Sequence, residues 1–380
     1  MKELRAIVEH YRRADKMRAA ALATVVKVRG SSYRSPGARM LITDDGRWAG
    51  SISGGCLEGD ALRKARQVMA DGKPVRVTYD THEESNQNLG IGLGCHGIID
   101  VVIERVAGEE NAVTEFEKWI NTRVPVAMAT ICSGTRLATR FYFREGESAY
   151  PDLEKHAQQA LATGRSEMVS VVLNGQPEEV FIEVIEPAIS LVIFGAGFDA
   201  RPVSALAKSL GWHVQVTDEC AAHIAPLFFP AADNLLLCHR TFVDRDFDIT
   251  PFTACVLMSH NYEYDRDVLQ KLLATPTPYI GILGPRKRFD KMLAHFAQTG
   301  VVLTDSDHHR IHSPIGLDIG AESPDEIALS IASEIHCKFR QRSGGFLKYR
   351  STPIHERADA SSEIFKQIFV QGASQKHRAG

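Results

Sequence analysis

The sequence predicts an α/β protein, in which a mixed α/β domain precedes a Rossmann-like domain built on a doubly wound parallel sheet. Three observations carry this. Short strand-like runs alternate with helix-length segments along the whole chain. The run SLVIF at 190–194 is continuously apolar, as expected of a parallel strand buried on both faces. It stops at Gly195-Ala196-Gly197, a turn of the dinucleotide-binding type.

In the first half, Leu4, Ile7, Val8 and Tyr11 share helical spacing. Residues 20–28 and 38–43 read as strands, with a hairpin turn at Asp44-Asp45-Gly46. A helix follows from Leu57 to Ala70, then strands at 75–79 and 98–103. Residues 112–121 and 151–163 read as helices; 125–132, 137–144, 167–173 and 179–185 read as strands. After Pro187 come strands at 213–217, 234–238, 254–258 and 279–283, with helices near 198–210, 265–274 and 286–298 between several of them. Ser323-Pro324-Asp325-Glu326 is a capping box that opens a last helix. The 380 residues suit two domains at roughly 100–200 residues each. The expected boundaries are 1–187 and 188–345, with a tail at 346–380 whose IFKQIFV segment is a candidate docking helix and a candidate homodimer contact.

Composition excludes several functions. A net charge of −3, with no block of five or more like charges, argues against a broad nucleic-acid surface. The longest largely apolar run, Ala19–Val26, falls short of the roughly 18–20 residues of a membrane span, and the N-terminus is too charged for a signal peptide. A cytoplasmic protein is expected. Seven cysteines, widely spaced and without Cys-x-x-Cys, disfavour a zinc finger or a disulfide framework. Cys238 and Cys255 lie in apolar runs and read as small core residues.

The dinucleotide-type turn has a stated physics. Gly195 permits the tight turn, Gly197 lets backbone approach a pyrophosphate, and Ala200 allows close helix–strand packing. Asp218, at the end of the next strand, is placed to bind ribose hydroxyls and to favour NAD over NADP. His260 and Arg286 follow strand ends, where ligands of such sheets bind. Arg286-Lys287-Arg288 also reads as a solvated first helical turn. His308-His309-x-x-His312 lacks a well-spaced third metal ligand and precedes Pro314, so a loop with solvent-facing histidines is expected.

Glycine placement singles out two loops in the first domain. Residues 50–59 and 90–97 make 18 positions and hold 8 of the 29 glycines, and each window contains a cysteine. Cys56 follows Gly54-Gly55 at a helix start, where free N–H groups stabilise a thiolate. Cys95 follows Gly92 and Gly94, whose backbone can form an anion nest. Upstream, Ser31, Ser32, Arg34 and Arg39 add hydroxyls and guanidinium groups suited to phosphate. One such loop would read as a tight turn tolerating a small residue; two in one domain point to an anionic ligand and a soft metal or sulfur atom.

The segments GSSYRSPGARM, SGGCLEGD and GLGCHG resemble the N-terminal motifs of the XdhC/CoxI family of xanthine dehydrogenase accessory proteins. IFGAGFDARP, MSHNYEYD, YIGILGPRKR and HSPIGLDIGAESPDEIALSIASEI resemble its Rossmann domain, so the likeness runs in order over about residues 20–340. The chain departs from the family pattern at Phe198-Asp199, where His-Val is usual, at Tyr33 in place of proline, and at His96 in place of glycine. The resemblance implies a chaperone that binds the molybdenum cofactor, keeps it while a sulfur is installed, and delivers it to a molybdenum hydroxylase. Cys56 and Cys95 would contact molybdenum or the transferable sulfur, and the glycine loops would hold the pterin phosphate. A cysteine desulfurase is then a candidate partner. Two other readings stand beside this one: an NAD(P)-dependent oxidoreductase with His260 as its candidate acid–base group, and a thiol or persulfide carrier without pterin.

Overall fold

A computed structural model describes residues 1–14, 18–81, 97–143 and 150–351. The chain divides into two compact units, 3–187 and 188–350.

The first unit runs α1 (Lys2–Arg13), β1 (Ala20–Gly30), β2 (Arg39–Thr43), β3 (Trp48–Gly50), α2 (Glu58–Asp71), β4 (Val75–Asp80), β5 (Gly97–Val106), α3 (Ala112–Trp119), β6 (Val126–Ile131), β7 (Arg140–Phe143), α4 (Pro151–Thr163), β8 (Glu167–Leu173) and β9 (Gln176–Ile185). Its strands form two antiparallel sheets, ordered β3-β2-β1-β5-β4 and β7-β6-β9-β8. The turn at 44–46 joins β2 to β3, a short strand that Trp48 and Gly50 did not announce in the sequence. Helix α2 covers one face of the first sheet through Ala61, Ala65, Val68 and Met69, packed on Ala21, Ala23, Val101 and Ile103. Helix α4 covers the second sheet through Leu153, Ala157 and Ala160. The predicted apolar stripe of α1 is real: Leu4, Ile7 and Val8 pack with Phe116 of α3.

Between the two sheets lies a small apolar patch of Val26, Val102, Cys132 and Phe181, framed by charged side chains. Arg39 on β2 donates to Glu183 on β9 at 2.9 Å, with both side chains under a tenth exposed (5% and 9%). Its guanidinium also lies 4.6 Å from the centre of the Phe116 ring. Arg140 on β7 donates to Glu104 on β5 at 2.6 Å. Arg76 on β4 reaches Asp100 at 2.8 Å and also pairs with Glu179 on β9. Burial alone would push the Asp100 carboxyl up, but Thr78 and Arg76 hold it below the ordinary range.

The second unit runs β10 (Ser190–Phe194), α5 (Ala200–Ser209), β11 (His213–Asp218), β12 (Asn234–Leu237), α6 (Val243–Asp246), β13 (Thr253–Leu257), α7 (Tyr262–Leu272), β14 (Tyr279–Ile282), α8 (Arg286–Gln298), α9 (Asp305–Arg310), β15 (Ile311–His312) and α10 (Pro324–Phe339). Six parallel strands are ordered β12-β11-β10-β13-β14-β15. Counted along the unit, that is 3-2-1-4-5-6, the order of a Rossmann fold, with its switch point between β10 and β13. Helices α5 and α10 pack on one face with Leu191, Val214 and Val256; α7 and α8 pack on the other with Val192, Cys255 and Ile280. Cys238 and Cys255 are core residues, and burial pushes both thiols up to about 12.

The histidine segment differs from expectation. His308 and His309 sit on α9, a short helix, because Thr304 and Asp307 form a capping box at its start. His312 leaves that helix, stacks on Tyr279 with ring centres 4.5 Å apart, and pairs with Glu334 at 3.0 Å. Glu334 also accepts from the Tyr279 hydroxyl and from the Gly316 N–H at 2.9 Å, which ties the HSPIG segment to α10.

Removing one partner of a buried ion pair leaves the other charge unsatisfied, at a cost of about 3–5 kcal/mol. Arg39→Met is therefore expected to destabilise the first unit by about that amount in urea denaturation, and Arg39→Met with Glu183→Leu to recover most of it. A single variant as stable as the parent would show that the pair does not matter.

Candidate functional site

In the first unit, two of the sequence-predicted loops meet. The β1–β2 loop carries Ser31, Ser32, Tyr33 and Arg34; the loop from Gly50 into α2 carries Gly54, Gly55 and Cys56. The ring of Tyr33 lies over Gly54, 3.7 Å from where a β-carbon would stand, so the departure from proline at this position supplies a contact between loops. Glu3 ties them as well: it pairs with Arg34 and accepts the Ser51 N–H at 3.2 Å. Ser32 closes its own turn, its hydroxyl donating to the Arg34 carbonyl at 2.9 Å.

The cysteine loop is organised by Glu58, the first residue of α2. Its carboxylate accepts from the Ser51 hydroxyl and the Ser53 N–H, both at 2.9 Å, from the Ser53 hydroxyl, and from the Leu57 N–H at 3.2 Å. Burial would push this carboxyl up, but the hydrogen bonds from Ser53 and Ser51 outweigh it and hold Glu58 below its ordinary value. The loop is thus braced by an internal anion. Gly55 has φ +114°, with open space where a β-carbon would stand, and its N–H donates to the Ser53 hydroxyl at 3.1 Å. Cys56 is half-buried against the core beneath α2. Arg39 does not join this cluster; its guanidinium is committed to Glu183 and to the Gly37 carbonyl.

Cys95, Gly92 and Gly94 lie outside the described residues. The two ends of their segment are fastened to each other: the Thr81 hydroxyl donates to the Gly97 carbonyl at 2.8 Å and accepts the Gly97 N–H at 3.0 Å. Gly97 itself abuts the Ser31 carbonyl, 2.2 Å from where a β-carbon would stand, so only glycine fits there.

In the second unit, Gly197 and His260 meet at the switch point. Gly195 has φ +112°, and a β-carbon would come within 2.4 Å of the Ser259 backbone at the end of β13. Asp218 accepts the Ala196 N–H at 2.9 Å and the Cys220 N–H at 2.8 Å, and His223 lies 3.2 Å away, so its oxygens are engaged within the turn. His260, at φ +59°, places Nε2 2.9 Å from Asp199, close to Gly197. Ser259 donates to Asp265 at 2.5 Å, and Arg288 reaches the same buried carboxylate at 2.6 Å. Burial pushes the Asp265 carboxyl up, against the pull of Ser259 and Arg288. The basic triplet therefore splits. Arg286 is exposed, 3.6 Å from Asp290, while Arg288 anchors α8 to α7.

Sequence reasoning passed over Glu58, Asp199 and Ser259, although all three stand inside the motifs that drew attention. Among the described residues no group of three or more His, Cys, Asp or Glu side chains could hold a metal ion, and no helix is long and apolar enough to cross a membrane.

The order of the parallel sheet and the glycine turn at its switch point define a Rossmann-type domain, preceded by a domain of two antiparallel sheets. Residues 191–335 match the family model described as the XdhC Rossmann domain, and residues 14–80 match that of the XdhC and CoxI family. A Bacillus subtilis protein described as a probable subunit of xanthine dehydrogenase is 32% identical, over 83% of this chain and 92% of its own. The Escherichia coli molybdenum cofactor insertion chaperone PaoD is 23% identical, over 83% of this chain and 82% of its own. A solved structure from Bacillus halodurans, described as a xanthine dehydrogenase, superposes with a TM-score of 0.72 at 29% identity, covering 92% of this chain and 98% of that one. This chain belongs to the XdhC and CoxI family.

Because the folded-state pKa of Glu58 is depressed, its stabilising contribution is full above its ordinary value of 4.5 and fades as pH falls through the folded value. Glu58→Gln is expected to destabilise the first unit at neutral pH and to flatten its loss of stability below about pH 4.5. Urea denaturation at a series of pH values checks this; an acid limb as steep as the parent's would contradict it.

Proposed function

We propose that this chain is an accessory protein that binds the molybdenum cofactor, holds it while a terminal sulfur is installed, and delivers it to a molybdenum hydroxylase of the xanthine dehydrogenase class. The observation that carries this reading is the similarity to the insertion chaperone PaoD over 83% of the chain. The donor set of the first unit suits such a cargo. The Ser31 hydroxyl and the exposed glycine turn at Gly54 and Gly55 are of the kind that binds a phosphate, and the Cys56 thiol beside them is a soft donor. Cys95, Gly92 and Gly94 would add a second thiol and a second glycine-rich backbone. The role asks these residues to bind, orient and release the cofactor. A cysteine desulfurase would supply the sulfur, the cytoplasm would be the setting, and a homodimer would be the assembled form.

The glycine turn of the second unit supports another reading, NAD(P) binding and the oxidoreductase chemistry built on it. Gly195 and Gly197 favour it by standing at the switch point. Asp218 and Asp199 weigh against it, because they bring two carboxylates to the turn where a pyrophosphate would put its own charge.

Protein purified from a host that makes the cofactor is expected to carry pterin, read as fluorescence after oxidation. Cys56→Ala combined with Cys95→Ala is expected to lower activation of a xanthine dehydrogenase lacking its sulfurated cofactor by about tenfold or more. That is the scale of losing a contact of roughly 1.4 kcal/mol. Absence of pterin together with unchanged activation by the double variant would sink the proposal. Sulfur transfer that needs a cysteine but no pterin would replace it with a thiol carrier, and saturable NAD(P) titration at the 195–200 turn would favour the oxidoreductase.

A further inference from the structure

On the second unit, a hollow of about 280 Å³ lies between α5, the chain at 228–231 and the first residues of α10. Its walls include the rings of Phe198, Phe228 and Phe229, and Arg201 stands among them. The guanidinium carbon of Arg201 is 3.9 Å from the centre of the Phe228 ring and 5.4 Å from that of Phe198. Stacking of this kind holds the guanidinium plane in place and leaves its edge to donate.

Arg201 lacks a protein partner among the described residues. Among the described residues its side chain makes no ion pair and no hydrogen bond, and its Nε is buried without a partner. Arg34, Arg39, Arg140 and Arg288 also bury an Nε without a partner, but each spends its other nitrogens on a carboxylate, which Arg201 does not. Phe198 is equally unspent: it is 70% exposed at the edge of the hollow. A preorganised cationic fork, aromatic walls and an unmet donor together describe half of a recognition site.

We propose that this hollow binds a small planar monocarboxylate, an aromatic or heteroaromatic ring carrying one carboxylate. The fork of Arg201 matches the two oxygens of a carboxylate, and the phenyl walls match the face of a flat ring. The volume sets the size. At about 280 Å³ the hollow falls just below the roughly 300–1,000 Å³ of pockets for drug-sized ligands, room for one ring system rather than a dinucleotide or a peptide. Asp325 sets the charge. It lines the same hollow, so a ligand with two negative charges meets a repulsion that a singly charged one largely escapes. The site does not depend on the accessory role proposed above.

The test uses the full chain and salicylate, whose own fluorescence reports binding, with benzoate as a competitor and cyclohexanecarboxylate and inorganic phosphate as controls. Salicylate is expected to bind saturably, benzoate to displace it, and both controls to compete at least about tenfold more weakly. Arg201→Met is expected to weaken salicylate binding by about tenfold or more, the scale of a charge-assisted hydrogen bond. Arg201→Lys keeps the charge but loses the fork and falls between, and Asp325→Asn binds tighter than the parent. Circular dichroism and the thermal midpoint establish that each variant is folded; should Arg201→Met fail this check, Arg201→Lys and Asp325→Asn carry the decision. No saturable binding, an Arg201 variant that binds as well as the parent, or phosphate competing as well as benzoate would overturn the proposal.

Discussion

The first unit depends on charges buried between its two sheets. Arg39 meets Glu183, Arg140 meets Glu104, and Arg76 joins Asp100 and Glu179. Such pairs add little net stability compared with a well-packed apolar layer, but leaving one partner alone is expensive. The energetics are therefore asymmetric. An alignment of the sheets that mismatches Arg39 with Glu183 or Arg140 with Glu104 strands a charge in a poorly hydrated gap, so this layer penalises slippage more than it rewards contact. Strand β2 carries Arg39, and the loop before it carries the Ser32 turn and Arg34. The same pairs that align the sheets hold the base of the candidate binding loop.

Both units brace a glycine-rich loop with a carboxylate of their own. In the first, Glu58 gathers the hydroxyls and N–H groups of the loop before α2. In the second, Asp218 takes the N–H of Ala196 at the centre of the glycine turn. Each acid fixes backbone that would otherwise have to be ordered at the moment of binding, and ordering costs roughly 1–2 kcal/mol per residue. Each also occupies donors that a purely anion-binding loop would leave free. The Gly55 N–H is taken as well, by the Ser53 hydroxyl at 3.1 Å, so an incoming anion would have to use other donors.

The Rossmann half was legible because its signals are local. Apolar runs of four or five residues gave β10, β13 and β14, the capping box Ser323–Glu326 gave α10, and Gly195 marked the turn. Helix α9 was legible too, in the Thr304–Asp307 cap, but Pro314 drew attention away from it. In the candidate sites the residue types could be read and their allegiances could not. Arg39 and Arg34 look alike in the motif, yet one is locked between sheets and the other tethers a loop to Glu3. The partner of Arg39 lies 144 residues away, and nothing in the neighbourhood of either residue encodes that distance. Arg288 was hidden for the same reason: a helical first turn rich in base looks solvated until Asp265 appears beside it.

The bond pair between Thr81 and Gly97 separates a framework from an insert. The pairing of β4 with β5 runs up to that clasp, with Asp80 opposite Ile98. Closing a loop of doubled length costs only about 0.6 kcal/mol more. By that scaling, a longer connection between Thr81 and Gly97 would cost the strand pair little in closure entropy. A change of length there is expected to leave the Thr81–Gly97 stem, and the core beneath it, as they are.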